Sequence, residues 1–384
     1  MASIVETISM IDPAEWAAIV PDDPLWAWSF LRAMEAGSIG PDAHDYIVVR
    51  QGGRLVAVMP TSTFRHLPLT DVVGHEARRI LAPVYRIVPR LLQLRVLFVG
   101  HLLCDGRLCA LDRTDHDVAD LIVSSVRDLA SRRKCRWTVF KDFEPAELEP
   151  LRSSLDRLGY FDVPALDDTA LDLSWPDFPS YVASLPAKPR RNLRNKQRRL
   201  ERSGCSIDVT DDFAPLVPEM VLLYQQVLDR AESRLDTWNG GFLEALAGAV
   251  EIDCAVVTCR RDERLVGFLL CVFGTHNAVA LRVGLDYAGA TDAAVYHNLH
   301  YRGIALAIER GYHTLGFSQT AYEPKREMGC RQIPLVHAVT HVNPVCRAIL
   351  VRLLPWALAS AEPADRRAGP SPPSTPEQPD GTPR

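Results

Sequence analysis

Residues 253–273 read "DCAVVTCRRDERLVGFLLCVF". Two apolar runs rich in β-branched residues flank a short charged turn, the pattern of an antiparallel β-hairpin. Residues 45–64, "DYIVVRQGGRLVAVMPTSTF", repeat the pattern around a Gly-Gly turn, and "RLVAV" from Arg54 answers "RLVGF" from Arg264, 210 residues later. Working outward, each hairpin follows helical stretches: "DPLWAWSFLRAMEAG" before the first, "PEMVLLYQQVLDRAESR" and "GGFLEALAGAVE" before the second. Each is followed by a helix running into a strand. Val118, Leu121, Ile122, Val126 and Leu129 recur at helical spacing before a strand at Trp137–Phe140. Leu299, Ile304, Ala307 and Ile308 do the same before Thr314–Phe317. The chain therefore reads as a tandem α/β repeat.

Composition bounds the function. The chain has 384 residues, is 47% hydrophobic, and carries a formal charge of −5. That suffices for two medium domains and argues against a protein that coats nucleic acid over its whole surface. The start, "MASIVETISMIDPAEW", is acidic where a signal peptide is basic, and no apolar run reaches about 18 residues, so a cytoplasmic location is expected. Nine cysteines without a CxxC pair, several within apolar runs (Cys254, Cys259, Cys271), read as reduced core thiols. Residues 361–384 are Pro-rich and nearly devoid of apolar side chains, the composition of a disordered tail.

Two further stretches carry a family likeness: "KPRRNLRNKQRRLERSG" (188–204), opening the second copy, and "GYHTLGFSQTAYEPKREMGCRQIPL" (311–335), closing it. With the repeat, they resemble the FemAB-like and BioF2-like (CelD-like) branch of the Gcn5-related N-acetyltransferase (GNAT) superfamily. The resemblance implies tandem GNAT-like domains, 1–178 and 179–360, each a mixed, largely antiparallel sheet flanked by helices. It implies an acyltransferase that moves an acyl or aminoacyl group to an amine or hydroxyl of a small-molecule or cell-envelope acceptor. The donor it implies is acyl-CoA, a carrier-protein-bound acyl group or aminoacyl-tRNA, with no tightly bound cofactor expected.

The basic run holds eight Lys and Arg against one Glu. Leu193 and Leu200, seven apart, mark the inward side of a helix whose basic residues cover the rest. Pro189 fits a first helical turn, which leaves Arg190 and Arg191 at the positive helix end, where guanidinium and N–H groups suit phosphate oxygens. The resemblance singles out Lys188, Arg191 and Arg194 as the clamp for an anionic substrate. Interleaved aromatics are missing, unlike a single-strand groove built on base stacking. The competing reading is a non-catalytic adaptor that uses this helix on nucleic acid or an anionic membrane surface.

The polar loop 318–329, "SQTAYEPKREMG", follows a strand end, where ligands of such sheets bind, and concentrates Gln319, Tyr322, Glu323 and Lys325. The resemblance implies that Lys325 contacts the donor's phosphate or carbonyl oxygen; Glu323 is placed to take the amine proton through water. The turn "GLDYAGATDAAVYHN" lacks the Gly-rich spacing that cradles a pyrophosphate, and Thr291 or Asp292 is placed to cap the following helix. Asp286, Tyr287 and His297 are further acceptor-binding candidates, and His297 and His300 have no acidic third ligand at metal spacing, so no metal is expected. Residues 78–100 and 344–360 mix Arg with long apolar side chains; they read as core or lid helices, or as helices touching lipid.

Overall fold

The computed structural model describes residues 1–72, 83, 92–231, 235–289 and 293–359. The first half runs through β1 (Ala2–Val5), α1 (Trp28–Gly37), β2 (Ala43–Gln51), β3 (Arg54–Pro68), β4 (Gln93–Val99), β5 (Cys109–Ala110), α2 (His116–Arg132), β6 (Trp137–Phe143), β7 (Phe161–Pro164) and β8 (Asp168–Asp172). The second runs through α3 (Phe178–Ser184), α4 (Ala187–Arg202), β9 (Cys205–Thr210), α5 (Val217–Arg230), α6 (Gly240–Ala247), β10 (Asp253–Arg261), β11 (Arg264–Phe273) and β12 (Asn277–Leu285). It closes with α7 (Val295–Glu309), β13 (Thr314–Gly316), α8 (Tyr322–Glu327), β14 (Arg331–Ile333), β15 (Val336–His341) and α9 (Pro344–Ala359).

The two hairpins are copies in detail. Both turn residues of each have left-handed backbone, Gly52 and Gly53 in the first and Asp262 and Glu263 in the second. That geometry matches the right-handed twist of the flanking strands. Each ladder is interrupted by a register shift, at Val49/Arg50 and at Cys259/Arg260, again 210 residues apart. A bulge at the same place in both copies is a shared feature of a duplicated unit.

The strands form two mixed sheets, ordered β1-β2-β3-β4-β6-β15-β7 (with β5 on β3) and β14-β8-β13-β12-β11-β10-β9. The last strand of each half is exchanged. β8, from the first half, lies between β13 and β14, and β15, from the second, lies between β6 and β7. The sheets thus interlock rather than divide the chain cleanly at residue 178. Gly159 and Gly329, both at positive φ and 170 residues apart, lead into β7 and β14 at corresponding points.

Both sheets bury one face against a shared core. Helices α1, α5 and α6 supply Phe30, Met34, Met220, Tyr224 and Phe242, which pack with Tyr46, Val58 and Phe98 of one sheet and Val256, Phe268 and Leu270 of the other. Close approach needs Gly37 in α1, where an added Cβ would lie 2.4 Å from the Phe242 Cβ. Asn239 caps α6 by accepting the Phe242 N–H and donates to the Gly37 carbonyl at 2.6 Å, tying the halves together. The outer face of the first sheet is covered by α2 and the short helices at 145–157; that of the second by α3, α4 and α7.

All nine cysteines are free, and burial pushes the Cys254, Cys259 and Cys271 thiols up to about 12. Two segments correct the sequence reading. Within 78–100, Gln93–Val99 is a strand inside the first sheet, because its apolar run is buried between β3 and β6; most of the remainder lies outside the described residues. Helix α9 does form, but Val345, Ile349, Val351 and Leu353 are exposed, so it is not a core helix. No helix among the described residues is long and apolar enough to cross a membrane. Thr291, Asp292 and the tail 361–384 lie outside the described residues.

Candidate active site

The second sheet opens beside α7. β12 and β13 run parallel and pair only at Asn277–Val279 with Thr314–Gly316. β12 continues to Leu285, whereas the chain after Gly316 turns to the exchanged strand: the Phe317 N–H donates to the Thr169 carbonyl at 2.8 Å. Among the described residues the β12 edge beyond Val279 therefore has no strand partner on that side, leaving a wedge between two parallel strands. The corresponding wedge in the first sheet is closed. There β4 and β6 pair at Val96–Val99 with Trp137–Phe140, and Gly106 then bridges to Phe143 and donates to the Asp142 carbonyl at 2.8 Å. Only glycine fits, since a Cβ on Gly106 would stand 2.3 Å from the Phe143 ring.

The loop at the wedge mouth is strained. Ser318, Thr320 and Ala321 all adopt left-handed backbone, a conformation that persists only where surroundings hold it. Lys325 is one such holder: it is 3% exposed, and its Nζ donates to the Ser318 carbonyl at 2.8 Å and the Gln319 carbonyl at 2.9 Å. Burial lowers its pKa to about 8, with Asp168 opposing the shift. Tyr322, also buried, donates to the Asp167 carbonyl at 2.9 Å, and Gln319 Nε2 donates to the Leu166 carbonyl at 3.1 Å. Gln319 and Tyr322 thus stitch this loop to the end of the first half, while Lys325 braces it from within. Glu323 is exposed in the first turn of α8.

The basic helix sits as expected, with Leu193 buried, Leu200 packed on the core, and Lys188, Arg191 and Arg194 exposed. Lys196 pairs with Glu327 at 2.7 Å, and Asn192 donates to the same carboxylate at 2.9 Å, fixing α4 to α8. Asn298, buried in α7, donates to the carbonyls of Lys196, Ala293 and Ala294 at 3.0, 3.1 and 3.2 Å. Helix α7 begins at a left-handed Ala294 that offers no side-chain cap.

The other candidates fall in different places. His300 is buried; its Nδ1 lies 2.7 Å from the Tyr296 carbonyl, its ring stacks on Phe317, and burial lowers its pKa to about 3. His297 is half-buried near Lys196, with its pKa lowered to about 4, chiefly by burial. Asp286 holds a loop, accepting from Ala288 and Gly289 N–H groups at 3.0 Å and from Arg264 at 2.9 Å. Those bonds engage both carboxylate oxygens. Tyr287 lies under the Arg230 guanidinium at 3.9 Å.

Sequence reasoning missed Asp168, which the exchanged strand brings to the wedge mouth. It also missed the buried Lys141 and Asp142 and the half-buried His337 that occupy the corresponding place in the first sheet. Nothing in local pattern reveals strand exchange, although the "LDDTALDL" doublet of acids before an apolar run hinted at a polar strand end. A surface groove of about 560 Å³ lined by Asp120, Ser154 and Arg157 contains none of these residues.

Comparison with known proteins agrees with this architecture. Residues 187–326 match the model of the acetyltransferase (GNAT) domain. Over 345 residues the chain is 25% identical to a Mycobacterium tuberculosis (strain H37Rv) protein provisionally named 8-amino-7-oxononanoate synthase 2, covering 85% of this chain but 44% of that protein. The chain thus spans less than half the length of that relative. The crystal structure of FemX aligns with a TM-score of 0.57 at 10% identity, over 91% of this chain and all of FemX. The C-terminal domain (DUF2156) of a provisionally named lysylphosphatidylglycerol synthetase from Agrobacterium fabrum aligns at 0.52 and 12%, over 90% and 96% of the two chains. Residues 187–326 are thus similar to the acetyltransferase (GNAT) domain, and they lie within a two-sheet fold that the chain shares with FemX.

Proposed function

We propose that the protein transfers an acyl group from an activated thioester donor, acyl-CoA or an acyl carrier protein, to an amine or hydroxyl of a small-molecule or envelope acceptor. The observation that carries this reading is the open wedge between β12 and β13, within the very segment that matches the acetyltransferase domain. The amides of a pantetheine arm complement an unpaired strand edge, as added strands do. Ala294 offers no side-chain cap at the start of α7, and the positive end of that helix suits a pyrophosphate. Exposed Lys188, Arg191 and Arg194 supply the clamp for phosphates of donor or acceptor. Gln319, Tyr322 and Lys325 hold the loop that faces the reacting carbonyl, and Glu323 stands at its exposed rim.

Aminoacyl-tRNA is the second donor reading, supported by the fold likeness to FemX and by the exposed basic helix. A third reading, an adaptor without catalysis on an anionic surface, draws on the same helix and on the exposed apolar side chains of α9. A thermal-shift panel of acyl-CoAs, carrier-protein mimics and aminoacyl-tRNA, followed by transfer assays with the stabilising donor, separates them. Stabilisation by a thioester with amine-dependent thiol release is expected. Polyanion binding with a steep salt dependence and no donor response would replace acyl transfer by the adaptor.

A further inference from the structure

We propose that Asp168, delivered to the second-half wedge by the exchanged strand β8, takes the proton from the attacking acceptor; this assignment rests on the acyl transfer proposed above. Asp168 opens β8, paired with Ile333 on one side. On the other, β8 and β13 pair from Asp172 with Thr314 to Ala170 with Gly316, and continuing that register sets Asp168 opposite Ser318. Thr169 secures the junction, since its carbonyl accepts from Phe317 and its Oγ1 donates to the Ser318 carbonyl at 2.5 Å. That carbonyl is also an acceptor for Lys325. The carboxylate therefore stands at the loop that borders the wedge, on an element of regular structure rather than on the loop itself.

Its bonding leaves it free to act. Oδ1 accepts the Thr169 N–H at 2.7 Å, which orients the group, and no described residue donates to Oδ2. The side chain is neither fully buried nor fully exposed. Burial first, then the charges of Asp105 and Asp142, raise its pKa to about 6, against the Thr169 N–H bond and the pull of Lys325. A carboxylate so placed is ionised at neutral pH yet basic enough to accept a proton.

The duplication supplies an internal control. β8 and β15 pair at corresponding points, Asp172 with Thr314 and His341 with Trp137, which sets His337, the second residue of β15, in the place of Asp168; Lys141 and Asp142 stand 177 residues before Ser318 and Gln319. In the first sheet this position is fastened: His337 Nδ1 accepts the Asp142 N–H at 3.0 Å, and Asp142 is ion-paired with Lys141. Gly106 closes the wedge beside it. Of two corresponding places, one is locked and shut; the other has an open wedge and an unspent carboxylate oxygen.

In the step assigned, the acceptor nitrogen forms the new C–N bond while the carbonyl carbon releases the thiolate with the C–S electron pair. The nitrogen's proton passes to Asp168 Oδ2 and then to the thiolate or to water. For a hydroxyl acceptor the new bond is C–O and the proton comes from oxygen.

The test uses the full chain with acetyl-CoA and octanoyl-CoA, a panel of primary amines, and thiol release as the readout. Asp168→Asn retains an oxygen for the Thr169 N–H, so its melting temperature should stay near wild type. Its kcat should fall about a hundredfold or more with KM for the thioester nearly unchanged. The acid limb of the kcat/KM profile, centred near pH 6 in wild type, should vanish. His337→Gln, at the corresponding position, should keep both turnover and limb. An active wild type whose Asp168→Asn variant keeps kcat and the limb overturns Asp168 while leaving acyl transfer standing. A wild type that neither binds the thioesters nor releases thiol overturns the acyl-thioester reading and this assignment with it.

Discussion

Lys325 shows how a side chain's setting changes what its chemistry means. Its place in a polar loop after a strand read as a cation aimed at the donor, but the structure turns Nζ inward onto two carbonyls of a left-handed loop. Two of its three N–H groups hold that backbone, leaving one for the wedge. Lys325→Met keeps length and removes both bonds, so turnover should fall about a hundredfold, the scale of losing a preorganised donor. Lys325→Arg should restore only part, because a planar fork does not match two adjacent carbonyls in a closed site. The pH dependence has a defined sign. The folded chain releases this proton near pH 8 and the unfolded chain near 10.5, so the unfolded state binds more protons between those values. Wild-type stability should therefore rise with pH across that window relative to Lys325→Met, by up to about 3 kcal/mol. Parallel denaturation midpoints for the two proteins from pH 7.5 to 10 would show the shift absent.

At the scale of elements, hairpins and helices were legible because each depends on local pattern. The alternation around Arg54 and Arg264 specified both ladders, and Leu193 and Leu200 specified which side of α4 faces inward. The exchange of β8 and β15 was not, because nothing local in "DTALD" or "VHAVTH" specifies the long-range partners, β13 and β6, that they take. The short β4 escaped for a related reason: its apolar run sits beside Arg-rich sequence that suggested a helix. Helix α4 gives the sharpest prediction at this scale. Leu193 is 1% exposed, so Leu193→Ala should cost about 2–5 kcal/mol. Alanine at exposed Lys188, Arg191 and Arg194 should change stability by no more than about 0.5 kcal/mol each. The triple variant should still weaken capture of a phosphate-bearing donor, seen as a raised KM and a shallower salt dependence. Unfolding of that triple variant would make the three residues structural and remove the clamp.

The whole molecule joins two copies of one unit that have diverged in a specific way. The shared core of α1, α5 and α6 and the exchanged strands make the halves mutually dependent. One wedge has been filled by Gly106, and the other has stayed open beside a strand borrowed from its neighbour. The central claim is that this second wedge holds the acyl donor. Hydrogen–deuterium exchange of the full chain with saturating acetyl-CoA tests it most directly. Protection should appear in residues 280–285, 293–300 and 317–325, with 100–107 unchanged. Protection confined to 100–107 and 141–143, or none in either wedge, would contradict it.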